Sequence, residues 1–410
     1  MSTSIAPWAR RIKKERELRG WTQRACVERL RYETTRELPE QSTMLDQWKR
    51  WEAGRVMPSA EYQRMIASLF GSVSGAFFAA PRSPQEVLEA AAPGSDTPEL
   101  LARLRRSAVD QATLESLRLT VDRLCSDYPV INAHQLLTEG RAWLARLADL
   151  LELRVSLTQH REILSLAGML ALLVGCLEQD IGRSPAAEST RQSALTLGTE
   201  AGNTNVVGWA HEMRCWFSLT QGDYRTVLTS AEAGIEAAGN QSVSVQLYAQ
   251  QAKAWARIGN QQRVEIALDR GRELLEKLPP PMDPSHHFVV DPSKYDFYAM
   301  DVLRRSGNDK LADGLADEVL STSTDWSGRL VAPMRAAEAY VTKGVVAARS
   351  GDLEGAISYG RQALDGTRQS VPSLVMVSQE LGQVLTEQYK NEQEAQDYIE
   401  ELRSLAERVA

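Results

Sequence analysis

Three groups of side chains in this 410-residue chain have the types and spacing to do chemistry. The first is polar and cationic: Thr22, Gln23 and Arg24, then Thr43, Leu45, Asp46, Gln47, Lys49 and Arg50, then Arg55. Thr22 can cap a helix, and the free N–H groups of that helix's first turn favour an anion such as a phosphate. The second group is Trp209, Glu212 and Trp216 on one expected helix and Gln246, Ala249 and Lys253 on another. Spacings of three and four put each trio on one helical face. Aromatic, acidic and amide groups lining a concave groove suit a peptide or a small amphiphile; the competing reading is that these tryptophans fill the core between paired helices. The third group is His286-His287, behind Pro279-Pro280-Pro281, with Asp283 and Asp291 nearby. A metal site there is conceivable, but no second spaced ligand cluster accompanies it, and exposed loop histidines are the commoner case. We expect no metal and no cofactor. The sequence has no Gly-x-Ser-x-Gly, no Gly-x-x-x-x-Gly-Lys-Ser/Thr and no His-Glu-x-x-His, so nothing argues for an enzyme.

The elements that position these groups are helical. Residues 7–19 predict one helix, with Trp8, Ile12 and Leu18 inward, ended by Gly20. A second begins at Thr22 and buries Cys26, Val27 and Leu30. A third runs from about Thr43 to Ala53, with Trp48 and Trp51 on its core side, and a fourth is capped by Ser59 and reaches Phe70. Between the second and third, residues 32–42 are polar and contain Pro39. Residues 81–98 are rich in Pro, Ala, Gly and Ser and read as a linker. Beyond Glu99 the pattern is helical, without any sustained period-two segment. Glycine breaks recur at Gly182, Gly222, Gly259, Gly307 and Gly351, at spacings of 40, 37, 48 and 44 residues, which is the signature of stacked helical hairpins.

Composition narrows the class. Residues 1–70 hold 14 Lys/Arg against 9 Asp/Glu, and the remainder 33 against 45, so a basic head precedes an acidic body within a net charge of -7. That asymmetry fits phosphate binding by the head alone. Cys26, Cys125, Cys176 and Cys215 are far apart and form no Cys-x-x-Cys pair; they read as small buried apolar residues of a reducing cytoplasm. The N-terminus lacks the apolar core of a signal peptide. The most apolar stretch, Leu164 to Leu177, is too short to span a bilayer, so no membrane partner is expected. Arginine outnumbers lysine and alanine is abundant, as in chains from GC-rich genomes.

The run Trp21-Thr22-Gln23, then Ser42-Thr43-Met44-Leu45-Asp46-Gln47-Trp48-Lys49-Arg50-Trp51-Glu52-Ala53-Gly54, closed by Pro58, resembles the helix-turn-helix of phage-repressor (XRE-type) regulators. The resemblance covers about 60 residues. It implies that the third helix lies in the major groove of an operator in double-stranded DNA. Base-reading positions fall on Leu45, Asp46, Lys49 and Arg50, with Thr43 and Gln47 flanking. Thr22, Gln23, Arg24 and Arg55 fall on phosphate-contacting positions. Arg50 would pair with guanine, Leu45 with a thymine methyl and Asp46 with a cytosine amino group. The same alignment pairs Arg16 with Glu52. The turn at 32–42 is roughly ten residues longer than the simple motif; it is either an extra backbone contact through Arg36 or a loose insert.

The run Tyr340-x-x-x-Gly344-x-x-Ala347-x-x-x-Gly351-Asp352-Leu353-x-x-Ala356, ending at Ala363, resembles a tetratricopeptide unit. Ala312 and Val319 repeat its pattern after Gly307, while Val227 replaces the usual alanine after Gly222. The expected fold is therefore all-α: a helix-turn-helix domain (1–80), a linker (81–98), a helical adaptor or dimerisation segment (99–165) and a tetratricopeptide-like solenoid (166–410). This plan resembles actinobacterial regulators of development and secondary metabolism, and peptide-responsive quorum-sensing regulators. It implies a cytoplasmic, nucleoid-associated homodimer whose solenoid senses a peptide or small molecule. The alternative is a DNA-binding adaptor whose solenoid recruits a protein partner and binds no small ligand.

Overall fold

The computed structural model describes residues 6–34, 38–72, 74–78, 109–153, 155–366 and 368–407. The expected linker, the first part of the 99–165 segment and Arg36 lie outside the described residues. Contacts divide the chain into Met1–Thr97 and Pro98–Ala410. Both units are helical, and among the described residues the β-contacts reduce to a single isolated bridge, Thr324 to Leu330.

The N-terminal unit contains α1 (Pro7–Leu18), α2 (Gln23–Leu30), α3 (Gln41–Glu52), α4 (Ala60–Leu69) and a short α5 (Ser74–Phe77). The Thr22 hydroxyl accepts from the Ala25 N–H and caps α2. Gly54, at φ 67°, supplies the left-handed residue that ends α3. Ile12, Cys26, Val27, Leu30, Met44, Trp48, Trp51 and Ile66 form the core. Three local expectations are corrected. Leu18 is 71% exposed, not inward, because the buried stripe of α1 passes through Ala9 and Ile12, and six residues beyond Ile12 is off that stripe. Helix α3 starts at Gln41, two residues early. Ser59 occupies the N-cap position of α4, but its side chain makes no capping bond.

In the C-terminal unit α6 (Gln111–Asp127) and α7 (Ala133–Leu151) pack on α8 (Leu157–Asp180) and share its core. Six hairpins then follow: α8 with α9 (Ser184–Ala201), α10 (Thr204–Thr220) with α11 (Tyr224–Ala238), α12 (Ser242–Ile258) with α13 (Gln261–Leu275), α14 (Pro292–Arg305) with α15 (Asp309–Thr322), α16 (Pro333–Ser350) with α17 (Leu353–Leu364), and α18 (Val371–Gln388) with α19 (Gln393–Glu407). Gly182, Gly222, Gly259, Gly307 and Gly351 turn the first five hairpins, each at positive φ. The next residue can then cap the returning helix, as Asp223, Asn260 and Asp352 do. Within the fifth hairpin a Cβ on Gly344 would come 3.2 Å from the Ala356 carbonyl, so the small residue sets the helix separation.

The first helices of the hairpins, α8, α10, α12, α14, α16 and α18, touch in succession along the inner face, and α18 returns onto α8 and α10. The solenoid therefore closes into a ring. Helix α8 corrects the expectation of a stretch too short for a bilayer: at 24 residues it is long and apolar enough, but most of it is covered by its neighbours. Its all-round apolar surface serves burial at the centre of a helical stack. All four cysteines are free and buried, and burial pushes the Cys26 thiol up to about 12.

Candidate nucleic-acid interface and inner cavity

Glu52 organises the N-terminal unit. It sits at the end of α3, 6% exposed. Its carboxylate accepts from Arg16 twice, Nε at 2.6 Å and Nη2 at 3.2 Å, from Gln23 Nε2 at 2.7 Å and from Trp48 Nε1 at 2.8 Å. Arg16 also donates to the Trp21 carbonyl. The pairing of Arg16 with Glu52 that the resemblance implies is thus present, and it ties α1, the start of α2 and α3 together. Hydrogen bonding to Glu52 holds the Arg16 guanidinium above its ordinary pKa. A buried carboxylate so fully used presents no bare charge to a polyanion.

With Met44, Trp48, Trp51 and Glu52 inward, the opposite face of α3 carries Thr43, Asp46, Lys49 and Arg50, all exposed. Asp46 and Lys49 pair along that face at 3.0 Å, a solvated bridge that a DNA ligand can open at little cost. Arg50 has no ion-pair partner among the described residues. Thr22 and Arg24 are exposed at the start of α2, where Arg24 meets Glu28 at 3.3 Å; Arg55 is exposed just beyond Gly54. Three expected contact residues stand differently. Leu45 is half-buried at the edge of the core, Gln47 is half-buried with its Oε1 out of solvent, and Gln23 is engaged with Glu52. Leu45 and Gln47 lie on or beside the inward stripe of α3 that runs through 44, 48, 51 and 52, and Gln23 reaches Glu52 from the start of α2. In the long turn, Arg31 donates to the Pro39 carbonyl and Gln41 to Glu28, which fastens both ends of the insert.

In the C-terminal unit a cavity of about 140 Å³ opens inside the ring. Glu212, Trp216, Gln246 and Lys253 line it together with Gln250, Lys294, Tyr298, Arg335, Glu338 and Ser373. Trp209 does not; it is 1% exposed in the main core, edge-on to Phe288 at 5.3 Å. Ala249 is buried outside the lining. Glu212 Oε1 accepts from Gln246 and Gln250, both at 2.7 Å. Lys253 lies over the rings of Phe297 and Tyr298, its ammonium 5.2 and 5.1 Å from their centroids. Trp216 Nε1 donates to Ser373 Oγ at 2.8 Å, so α10 and α18 meet across the cavity wall. The histidines also differ from expectation: His286 and His287 are packed rather than exposed, and His287 lies 3.9 Å from the Tyr128 ring. Burial holds the His287 imidazole well below its ordinary pKa, so it is neutral. The adjacent Lys294 ammonium donates to the carbonyls of His286, His287 and Val289, and fastens this loop to α14.

No family model matches the chain, and no curated protein matches its sequence. Among solved structures, the apo form of the competence regulator ComR from Streptococcus vestibularis is similar at 12% identity, over 77% of this chain and 91% of that one, with a TM-score of 0.28. A superposition that loose does not bear on the function, which is inferred from the residues themselves.

Of the cavity residues that sequence reasoning missed, Gln250 was within reach: it follows Gln246 by four and precedes Lys253 by three, on the same face. Arg335, Tyr298 and Ser373 carry no local signal, because ring closure alone brings them there. Glu212 shows the cost of this site. Burial pushes its carboxyl above the ordinary carboxylate range, against the opposing pull of the Gln250 and Gln246 amides and the Lys253 ammonium. A carboxyl with a raised folded-state pKa weakens the fold as pH climbs from its unfolded value through the folded one. Glu212→Gln keeps an acceptor for Gln246 and Gln250 and removes the charge. It is therefore expected to melt at or above the wild-type temperature at neutral pH, and the difference should shrink as pH falls toward the carboxylate range. A variant that melts lower at neutral pH, or a difference independent of pH, would contradict this.

Proposed function

We propose that this chain is a sequence-specific, DNA-binding transcription regulator, and that its C-terminal unit senses a small signal in the inner cavity. The observation that carries the DNA reading is the Glu52 network. It consumes the polar groups on one side of α3 and leaves Thr43, Asp46, Lys49 and Arg50 exposed on the other. An α-helix presenting such a face fits the major groove. Thr22, Arg24 and Arg55 supply phosphate contacts, which position the helix without reading sequence. In this reading the chain belongs with XRE-type regulators bearing tetratricopeptide-like bodies, works in the cytoplasm on the nucleoid, and performs no catalysis. In this reading it acts as a homodimer, because regulators of this motif class read two half-sites about 34 Å, one turn of DNA, apart. The cavity, lined by buried charges, favours the sensor over an adaptor that recruits only protein.

Arg50 decides the test. Arg50→Ala should leave the melting temperature unchanged, because the side chain is exposed. It should cost about 1–3 kcal/mol of discrimination between operator and unrelated DNA, the worth of one bidentate base contact. Genome-wide mapping of bound fragments supplies the operator, and competition binding measures the loss. A variant that keeps wild-type preference would show that α3 does not read bases through this residue.

A further inference from the structure

The cavity holds charges of both signs that form no ion pair with one another among the described residues. Lys253 and Arg335 line it without an ion-pair partner among the described residues; Arg335 has only the Ser293 hydroxyl, at 3.3 Å. Glu212 and Glu338 line it as well. Only Oε1 of Glu212 is hydrogen-bonded, to the two glutamines. Glu338 Oε2 and Gln250 Oε1 are buried with no hydrogen-bond partner among the described residues. Gln250 and Lys253 are each 5% exposed and Glu212 4%, so these are built groups of the interior rather than surface side chains. A buried polar group left unpaired costs stability, and two such atoms, Glu338 Oε2 and Gln250 Oε1, on a wall that also carries Lys253, Arg335 and Glu212 outside any ion pair among the described residues, are explained if something fills the space.

Size and wall chemistry say what. About 140 Å³ is close to the ~150 Å³ that houses a benzene-sized molecule and below the ~300 Å³ at which pockets for drug-sized ligands begin. A space of this size encloses a single small molecule rather than a whole oligopeptide. A simple anion would satisfy Lys253 and Arg335 and leave the acceptors bare; a simple amine would do the reverse. Trp216, Leu219, Met334 and Met376 add an apolar stretch of wall. We infer that the cavity takes a free amino acid, a small zwitterion whose carboxylate meets Lys253 and Arg335, whose ammonium meets Glu212, Gln250 and Glu338, and whose side chain lies against Trp216 and Met376. This rests on the sensing role proposed above. Burial raises the carboxyls of Glu212 and Glu338 above their ordinary pKa, and an ammonium placed beside them opposes that shift.

The test uses the full chain, with thermal melting and titration calorimetry, and each standard free L-amino acid as probe at millimolar concentration. One amino acid, or a chemically close set, should raise the melting temperature. Its carboxamide and its N-acetyl derivative should each bind roughly a hundredfold more weakly, because each leaves part of a polar site unpaired. Lys253→Met should lose the preference for the free carboxylate, Lys253→Arg should keep it, and Glu212→Gln should lose the preference for the free ammonium; the Arg variant separates lost charge from lost folding. If a carboxamide or an N-acetyl form binds as tightly as the free amino acid, the zwitterion is wrong. If short peptides bind and no amino acid does, the sensing role stands and this ligand class falls. If neither binds, both fall.

Discussion

Replacing Glu52 with alanine should open the N-terminal unit. The substitution removes the acceptor for Arg16, Gln23 and Trp48 at once, and Arg16 and Trp48 are held inside the helical interface. Breaking a buried pair by deleting one partner costs on the order of 3–5 kcal/mol, because the remaining charge has lost both water and partner. That is a large part of the stability of a unit this small. Amide hydrogen exchange followed by mass spectrometry on the full chain reads it: peptides covering α3 should exchange faster by about a hundredfold or more, while peptides of α10 and α12 keep wild-type protection. Glu52→Gln should fall between, since the amide still accepts from one side. Unchanged exchange in α3 would mean that the aromatic core alone holds the helix.

Asp180→Ala should open the ring of the C-terminal unit. Asp180 Oδ2 accepts from Tyr128 Oη and from Arg368 Nη2, each at 2.7 Å. Arg368 also donates to the Tyr128 carbonyl and lies over its ring. Arg368 is 4% exposed and Asp180 1%, so the alanine variant strands a buried guanidinium, again at about 3–5 kcal/mol. A second change discriminates. Asp180→Leu combined with Arg368→Met should recover most of the loss, since an apolar pair of similar volume replaces a desolvated ion pair at little net cost. Melting temperatures of the single and double variants measure both effects. A single variant that melts with wild type would show that the Trp216–Ser373 contact and the apolar packing of α18 close the ring without the ion pair. Because Tyr128, Trp216 and Ser373 also line the cavity, the open ring should bind its ligand more weakly even where it still folds.

Local chemistry was legible in the sequence wherever its cause is local. The hydroxyl of Thr22 marks the start of α2 and caps it, while Ser59, in the same position before α4, makes no capping bond. A left-handed residue favours glycine, so Gly54 and the hairpin turns at Gly182, Gly222, Gly259, Gly307 and Gly351 are legible as turns in the sequence, and each has positive φ. A spacing of three on an amphipathic helix put Trp48 and Trp51 on one buried face and left Lys49 and Arg50 on the other. Small residues at 344, 347, 356 and 363 marked a close helix pair. These cues fix helices, turns and hairpins because each acts within a few residues.

What the tertiary structure alone decided is which buried face does what. Trp209 and Trp216 lie seven apart on one stripe of α10, and periodicity treats them alike. They differ by about 10 Å along the helix axis, and that distance carries one into the core beside Phe288 and the other to the cavity. The partners of Asp180 and Trp216 come from residues 188 and 157 positions later, a separation at which no local pattern survives. The closure of the ring, and with it the meeting of Glu212, Lys253, Arg335 and Glu338 around one small space, follows from the summed rotation of six hairpins. Each hairpin adds a small angle set by side-chain packing, and only the whole stack determines whether the last helix returns to the first.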